Sequence, residues 1–364
     1  MNKYVRLAKR ENNNKRGFLI VNPYLGKHVA INPSDILKMF DNVATLTPYG
    51  MIPDRTLVIG FAETATALGI RYAVKNGTYF IQTTREKTPF ATNRLYFSEE
   101  HSHATEQYIV KDYVDKIINS IDRIIFIDDE ITTGNTVLNA IKAINNAYDK
   151  EFKYDVVSVL NSMNEEQRQT YSDKNIGVYF LSHIDNSDYE DIAKSLNSDG
   201  LYHIISGRPY DNTIGMYETT HVFNDTRMLA YGEEYSKDCD AVMNELKDKF
   251  KNSIHGNNVL VLGTEEFMYP GLMFAEMLQR VFDKNVKFHA TTRSPISVSA
   301  DDTYPLHERY EIKSVYDANR TTYVYDLDKY DSVFIVTEAE YLNKDGLNTL
   351  LLALHNQNIT VITI

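Results

Sequence analysis

The sequence predicts an α/β protein of mostly parallel sheet with flanking helices, followed by a second α/β part that reads as a degenerate copy of the first. Three observations predict it. Short apolar runs at 57–60, 78–83, 123–127, 156–160, 259–263, 286–290, 332–336 and 360–364 alternate with stretches of helical spacing, the pattern of strands joined by helical crossovers. One run, Ile124-Ile125-Phe126-Ile127, is apolar at every position, as a strand covered on both faces must be. The second half of the chain also repeats the first in order.

Taken from the start, Lys3 to Arg16 is a basic, Asn-rich leader. It lacks the apolar core of a secretory signal and reads as a flexible tail over 1–17. A strand-like run at 18–21 precedes Leu25-Gly26-Lys27-His28. Lys27 and His28 either line a subsite for an acceptor or form a charged turn. The 57–60 run enters Gly60-Phe61-Ala62-Glu63-Thr64-Ala65-Thr66, which opens a helix. There Gly60 would let backbone N–H groups face an anion, with Thr64 and Thr66 as further donors. Glu63 would repel that anion unless a divalent cation lay between them. The plainer alternative is a Glu/Thr helix start.

Past 78–83, Arg85, Lys87 and Arg94 supply positive charge, and Phe97-Ser98-Glu99-Glu100-His101-Ser102-His103-Ala104 forms a dense polar cluster. Glu99, His101 or His103 has the chemistry of a general base. A zinc site at His101 and His103 would have too few further ligands nearby, and a solvated loop is the bland reading.

The stretch 124–136 carries the strongest chemistry. The apolar strand runs into Asp128 and Asp129, then Glu130, then Thr132-Thr133-Gly134-Asn135-Thr136, and helical spacing resumes over 137–147. A loop of small hydroxyl residues at a helix N-terminus is an anion site, and Gly134 lets the backbone come close to a phosphate. Adjacent carboxylates cannot favour a bare phosphate. They serve sugar hydroxyls or a divalent cation on the same ligand, which points to a phosphorylated sugar. An ordinary capped strand–turn–helix corner needs one such residue, not the whole set.

Polar stretches at 161–174 and 186–199 hold little to bury, so the boundary falls near 195, giving parts at 18–195 and 196–364. Val58-Ile59-Gly60-Phe61-Ala62-Glu63 lies over Val261-Leu262-Gly263-Thr264-Glu265-Glu266. Phe80-Ile81-Gln82-Thr83-Thr84-Arg85 lies over Phe288-His289-Ala290-Thr291-Thr292-Arg293, and the 122–129 segment over 331–338. Three matches in order at similar spacing suggest a duplication. The second copy has Thr337 in place of Asp128 and Ala339-Glu340-Tyr341 in place of the Thr/Gly loop, so it should not cradle a phosphate.

Composition bounds the rest. A chain of 364 residues suits about two domains. A net charge of −12 argues against nucleic acid or anionic membrane as the main partner. No apolar run approaches the ~20 residues of a membrane span. Cys239 is the only cysteine, which precludes an internal disulfide. A cytoplasmic protein is the expectation. No Walker loop, dinucleotide Gly-rich fingerprint or His-Glu-x-x-His is present.

The 124–136 stretch resembles the 5-phosphoribosyl-1-diphosphate (PRPP) motif of type I phosphoribosyltransferases. The resemblance implies that Asp128 and Asp129 hold the ribose hydroxyls, directly or with Mg²⁺, and that 132–136 wraps the 5′-phosphate. It implies that Gly60, Phe61, Ala62, Glu63 and Thr64 form the pyrophosphate loop, and that Arg85 neutralises the leaving group under a mobile hood. With Glu265-Glu266-Phe267-Met268-Tyr269-Pro270 and Thr292-Arg293-Ser294-Pro295, the chain over 18–364 resembles phosphoribosyltransferase-like proteins with an appended TRSP domain, found in tellurite-resistance-type stress operons. That implies a transferase making a nucleoside-like metabolite beside other biosynthetic enzymes, with a base or other small nucleophile as acceptor. Lys27, His28, Glu266 and Arg293 are then candidates for the acceptor or second-domain site. Type I enzymes commonly dimerise, so a homodimer or a pseudo-dimer within one chain is expected. The alternative is a non-catalytic sensor of PRPP or a nucleotide.

Overall fold

The computed structural model describes residues 2–11, 16–98, 107–207, 209–338, 342–355 and 358–364. The first elements are strands β1 (Arg6–Lys9) and β2 (Phe18–Val21) and helix α1 (Pro33–Ala44). Then come β3 (Thr56–Gly60), α2 (Thr66–Asn76), β4 (Tyr79–Gln82), β5 (Arg94–Phe97), β6 (Gln107–Val110) and α3 (Lys111–Ile117). β7 (Arg123–Ile131), α4 (Asn135–Ala147), β8 (Lys153–Asn161), α5 (Glu165–Asp173), β9 (Gly177–His183) and α6 (Tyr189–Ser195) follow. β10 (Leu201–Ile204), β11 (Gly215–Glu218), β12 (Ala230–Tyr231) and α7 (Gly232–Phe250) lead to β13 (Asn258–Gly263), α8 (Tyr269–Phe282) and β14 (Asn285–Ala290). The last are β15 (Glu308–Lys313), β16 (Thr321–Tyr325), β17 (Ser332–Thr337), α9 (Lys344–Leu354) and β18 (Ile359–Thr363).

Two compact units result. The central unit is Lys38–Asn186 with Phe223–Lys237, and the terminal unit gathers Met1–Leu37, Ser187–Val222 and Asp238–Ile364. This differs from a single crossing near 195, because the first 37 residues group with the later part of the chain.

In the central unit the sheet order is β12-β4-β3-β7-β8-β9. All pairings are parallel except β12 with β4. Every residue of β3 and the first five of β7 are buried, Thr56 and Arg123 along with the apolar runs that follow them, as strands in the middle of a parallel sheet should be. On one face Leu57, Ile59, Ile124 and Phe126 join Ile117, Ile121, Val137, Ile141 and Ile144 in a single core. Over β3, Gly60 and Gly69 leave room for the Phe80 ring, which a Cβ at either glycine would crowd. The polar 161–174 stretch does bury something. Asn164 and Gln167 close a capping box at the start of α5, and Tyr171 is 1% exposed. One large residue on a polar helix is enough to anchor it, and average polarity hides that.

In the terminal unit five parallel strands run β11-β18-β17-β13-β14, beside a three-stranded β10-β15-β16 sheet and the β1-β2 hairpin. Residues 6–9, expected in a flexible leader, instead form β1 antiparallel to β2 with Ala8 fully buried. Alternating burial across a two-stranded pair needs few apolar residues, so the basic composition masked it.

The two large sheets share an order. β4-β3-β7-β8 corresponds to β14-β13-β17-β18, parallel throughout. Val58 pairs with Phe80 as Val261 pairs with Phe288, and Gly263 and Gly271 make room for Phe288 as Gly60 and Gly69 do for Phe80. Each copy then has an antiparallel hairpin, β5-β6 or β15-β16, bridged to its sheet by Thr84–Tyr108 or Thr292–Tyr323. The repetition expected from three short matches is thus present in strand order, packing and the following hairpin.

Candidate functional site

β7 pairs with β3 only as far as Ile127, but continues beside β8 through Asp128↔Ser158 to Ile131↔Asn161. The acidic residues therefore lie on an extension of the strand beyond the 123–127 run that the sequence marked, and Asp128, Asp129 and Glu130 are half-buried. Asp128 Oδ1 accepts from the Asp129 N–H at 2.9 Å. Thr64 Oγ1 donates to Asp129 Oδ1 at 2.5 Å, which ties the 60–64 loop to the acidic strand.

After Ile131 the chain turns through Thr132 and Thr133 to Gly134, the N-cap of α4, at φ 80 and ψ 0. That left-handed backbone is why glycine stands there. Asn135 N–H donates to Thr133 Oγ1 at 3.2 Å, and Leu138 N–H to the Gly134 carbonyl at 3.1 Å. Thr132, Thr133 and Thr136 are half-buried and Asn135 is exposed. The first-turn N–H groups of a helix have no intrahelical acceptor, so this loop sets donors and the positive helix end beside the two carboxylates. Tyr171 Oη donates to the same Gly134 carbonyl at 2.7 Å. Burial pushes its phenol well above the ordinary value, so the hydroxyl stays protonated and holds the turn.

The 60–64 loop differs from the expectation in detail. Phe61 stacks on Phe126 with centroids 5.8 Å apart and is a core residue. Ala62 N–H donates to Thr83 Oγ1 at 2.8 Å, Thr83 donates to Gln107 Oε1, and Gln107 Nε2 donates to the Ala62 carbonyl at 2.9 Å. Both backbone groups of Ala62 are thus engaged, and a Cβ at Gly60 would crowd the Phe80 ring and the Ala65 carbonyl. Glu63 and Thr64 are half-buried. Gln107 and Tyr171 escaped sequence reading because nothing local marks them. Thr83 stood in a matched segment, and its repetition at Thr291 was the available signal.

Arg85 is half-buried and Lys87 exposed. Arg94 Nη2 donates to the Thr88 carbonyl at 2.7 Å, a contact internal to the hairpin segment. Glu99, His101 and His103 lie outside the described residues. Among the described residues no group of three or more His, Cys, Asp or Glu is arranged to hold a metal ion.

Of the remaining candidates, Lys27, Glu266 and Arg293 come together around Glu265 in the terminal unit. Arg293 Nε donates to Glu265 Oε2 at 2.9 Å and its Nη2 to Glu266 Oε1 at 3.0 Å. Lys27, fully buried, donates to the Glu265 carbonyl at 2.5 Å. His28 is buried with its ring edge-on to Tyr325. The place of Ala339-Glu340-Tyr341 lies outside the described residues.

Residues 4–183 match the family model described as phosphoribosyl transferase, and residues 230–354 match a TRSP domain described as C-terminal to it. No curated protein matches the chain. Among solved structures, the adenine phosphoribosyltransferase of Rhodothermus marinus is 17% identical over 50% of this chain and 94% of its own, with a TM-score of 0.36. That of Trypanosoma brucei, in complex with AMP, pyrophosphate and ribose-5-phosphate, is 16% identical over 50% and 77%, at 0.36. That of Thermoanaerobacter pseudethanolicus is 14% identical over 50% and 96%, at 0.37. No helix among the described residues is long and apolar enough to cross a membrane.

Proposed function

We infer, from a chain that belongs to the phosphoribosyl transferase family with a TRSP domain behind it, that the central unit transfers the phosphoribosyl group of PRPP to a small nucleophile and releases pyrophosphate. The observation that carries this reading is one continuous strand–turn–helix. Asp128 and Asp129 stand at the end of β7, one short turn from the Gly134 cap of α4, and Thr64 joins them to the neighbouring loop. An acidic pair beside a helix-end anion seat suits a phosphorylated sugar, with hydroxyls at the carboxylates and phosphate at 132–136.

In the reaction the bond from C1′ to the pyrophosphate oxygen breaks and a bond from C1′ to the acceptor forms. The acceptor's proton passes to a base, for which Glu99, His101 and His103 are proposed. Arg85 is assigned to charge on the departing pyrophosphate, because electrostatic stabilisation matters most where charge develops. The half-buried carboxylates of Asp128 and Asp129 are hard oxygen donors, and among the described residues they belong to no group of three or more metal-ligating side chains. That suits Mg²⁺ shared with the ligand and water. When bound with PRPP, the ion would neutralise the pyrophosphate. The acceptor, a base or another nucleophile in the making of a nucleoside-like metabolite, and a cytoplasmic setting complete the proposal.

The test is to mix the full chain with PRPP, Mg²⁺ and a panel of bases, amines and nucleosides. Pyrophosphate release that depends on one acceptor is expected, with one PRPP bound per chain. PRPP binding with no turnover on any acceptor would shift the reading to a sensor. No PRPP binding would end it.

A further inference from the structure

The loop after β13 is the terminal unit's counterpart of the loop after β3. Thr291 N–H donates to the Gly263 carbonyl at 3.1 Å, as Thr83 N–H does to that of Gly60 at 2.9 Å. Glu265 N–H donates to Thr291 Oγ1 at 3.0 Å, as Ala62 N–H does to Thr83 Oγ1. The Glu265 carbonyl is taken by Lys27, where Gln107 takes that of Ala62. Glu265 thus stands where the central unit has Ala62, and Arg293 where it has Arg85.

What differs is the side chain. The Glu265 carboxylate is completely buried. Arg293 Nε and Arg320 Nη1 donate to its Oε2 at 2.9 and 2.6 Å, and Ser314 Oγ donates to its Oε1. Two guanidinium groups and a hydroxyl around one oxyanion form the donor set that proteins use for phosphate. The backbone is bent to deliver it: Glu265 has φ 48, a left-handed conformation that a glutamate seldom adopts.

We propose that the Glu265 carboxylate is a built-in occupant of an anion seat, so that the terminal unit carries a phosphate-type site filled by its own side chain. The parallel with the central unit rests on the function proposed above, whereas the seat rests only on its own donors. A phosphate or pyrophosphate could enter only when this carboxylate is removed.

Glu265→Gly removes it and suits the left-handed backbone. Titrating the full chain with pyrophosphate, the variant should bind one equivalent more than the wild type, and adding Arg293→Gln should abolish the gain. Inorganic phosphate should raise the variant's melting temperature with the logarithm of its concentration, by about 5 °C beyond any wild-type response when well above its dissociation constant. Equal stoichiometry in a variant that melts cooperatively would overturn the proposal. If the variant fails to fold in chloride, refolding on addition of phosphate supports the proposal, and failure in phosphate as well overturns it. A wild type that binds no pyrophosphate would count against the function proposed for the central unit, while the gain in the variant would still identify the seat.

Discussion

Asp128 and Asp129 show how much one strand position decides. Carried beyond the end of β3 on the extension of β7, they are half-buried while the residues before them are sealed in the core. Replacing both by Asn should weaken PRPP binding by about 2–4 kcal/mol, the scale of lost charge-assisted hydrogen bonds. Calorimetric titration checks this, and unchanged affinity would take the pair out of the site. His289 offers a pH test. Burial, with a smaller contribution from Lys27, outweighs the His28 backbone contact and holds its imidazole down to about 4 from 6.5. The folded state thus binds fewer protons between those values. Its contribution to stability is full above about pH 6.5 and is lost as the pH falls toward 4, by about 3 kcal/mol in all. Denaturant melts should show that decline, and His289→Gln should flatten it.

At the scale of elements, the turn between β7 and α4 depends on α5. The Tyr171 hydroxyl holds the Gly134 carbonyl, and its ring fills the space that a Cβ on residue 134 would need. Gly134→Ala therefore meets both a left-handed backbone and a clash. It should cost about 2 kcal/mol or more of stability and weaken PRPP binding as well. Thermal melts and titration of the same variant would show this, and a neutral result would mean that the turn relaxes freely. The start of α5 was readable from Asn164 and Gln167, three apart. Its buried face was not, because one tyrosine in a helix of nine residues, the other eight polar, leaves no periodic signal.

Across the whole molecule, two sheets with one strand order have diverged at their loops. In the central unit the loop after β3 carries Ala62, whereas after β13 Glu265 brings its charge inside with Arg293, Arg320 and Lys27. Arg293 is half of an internal ion pair. Arg293→Ala should cost about 3 kcal/mol of stability, since removing one partner leaves a buried carboxylate short of charge. Equilibrium unfolding checks this, and an unchanged melt with impaired acceptor use would return Arg293 to an acceptor site.

By itself the sequence determined the α/β class, most strands of both sheets, their repetition and the 128–136 stretch. Those are local: an all-apolar strand, a Thr/Gly turn and a helical period are written in neighbouring residues. Tertiary structure alone decided that residues 6–9 pair as a strand, that β7 runs on beside β8 to Ile131, and what holds each loop. Gln107 reaches Ala62 from 45 residues away and Lys27 reaches Glu265 from 238. No pattern along the chain records such partners, because a buried polar group is satisfied by whatever the fold brings within about 3 Å, however distant in sequence.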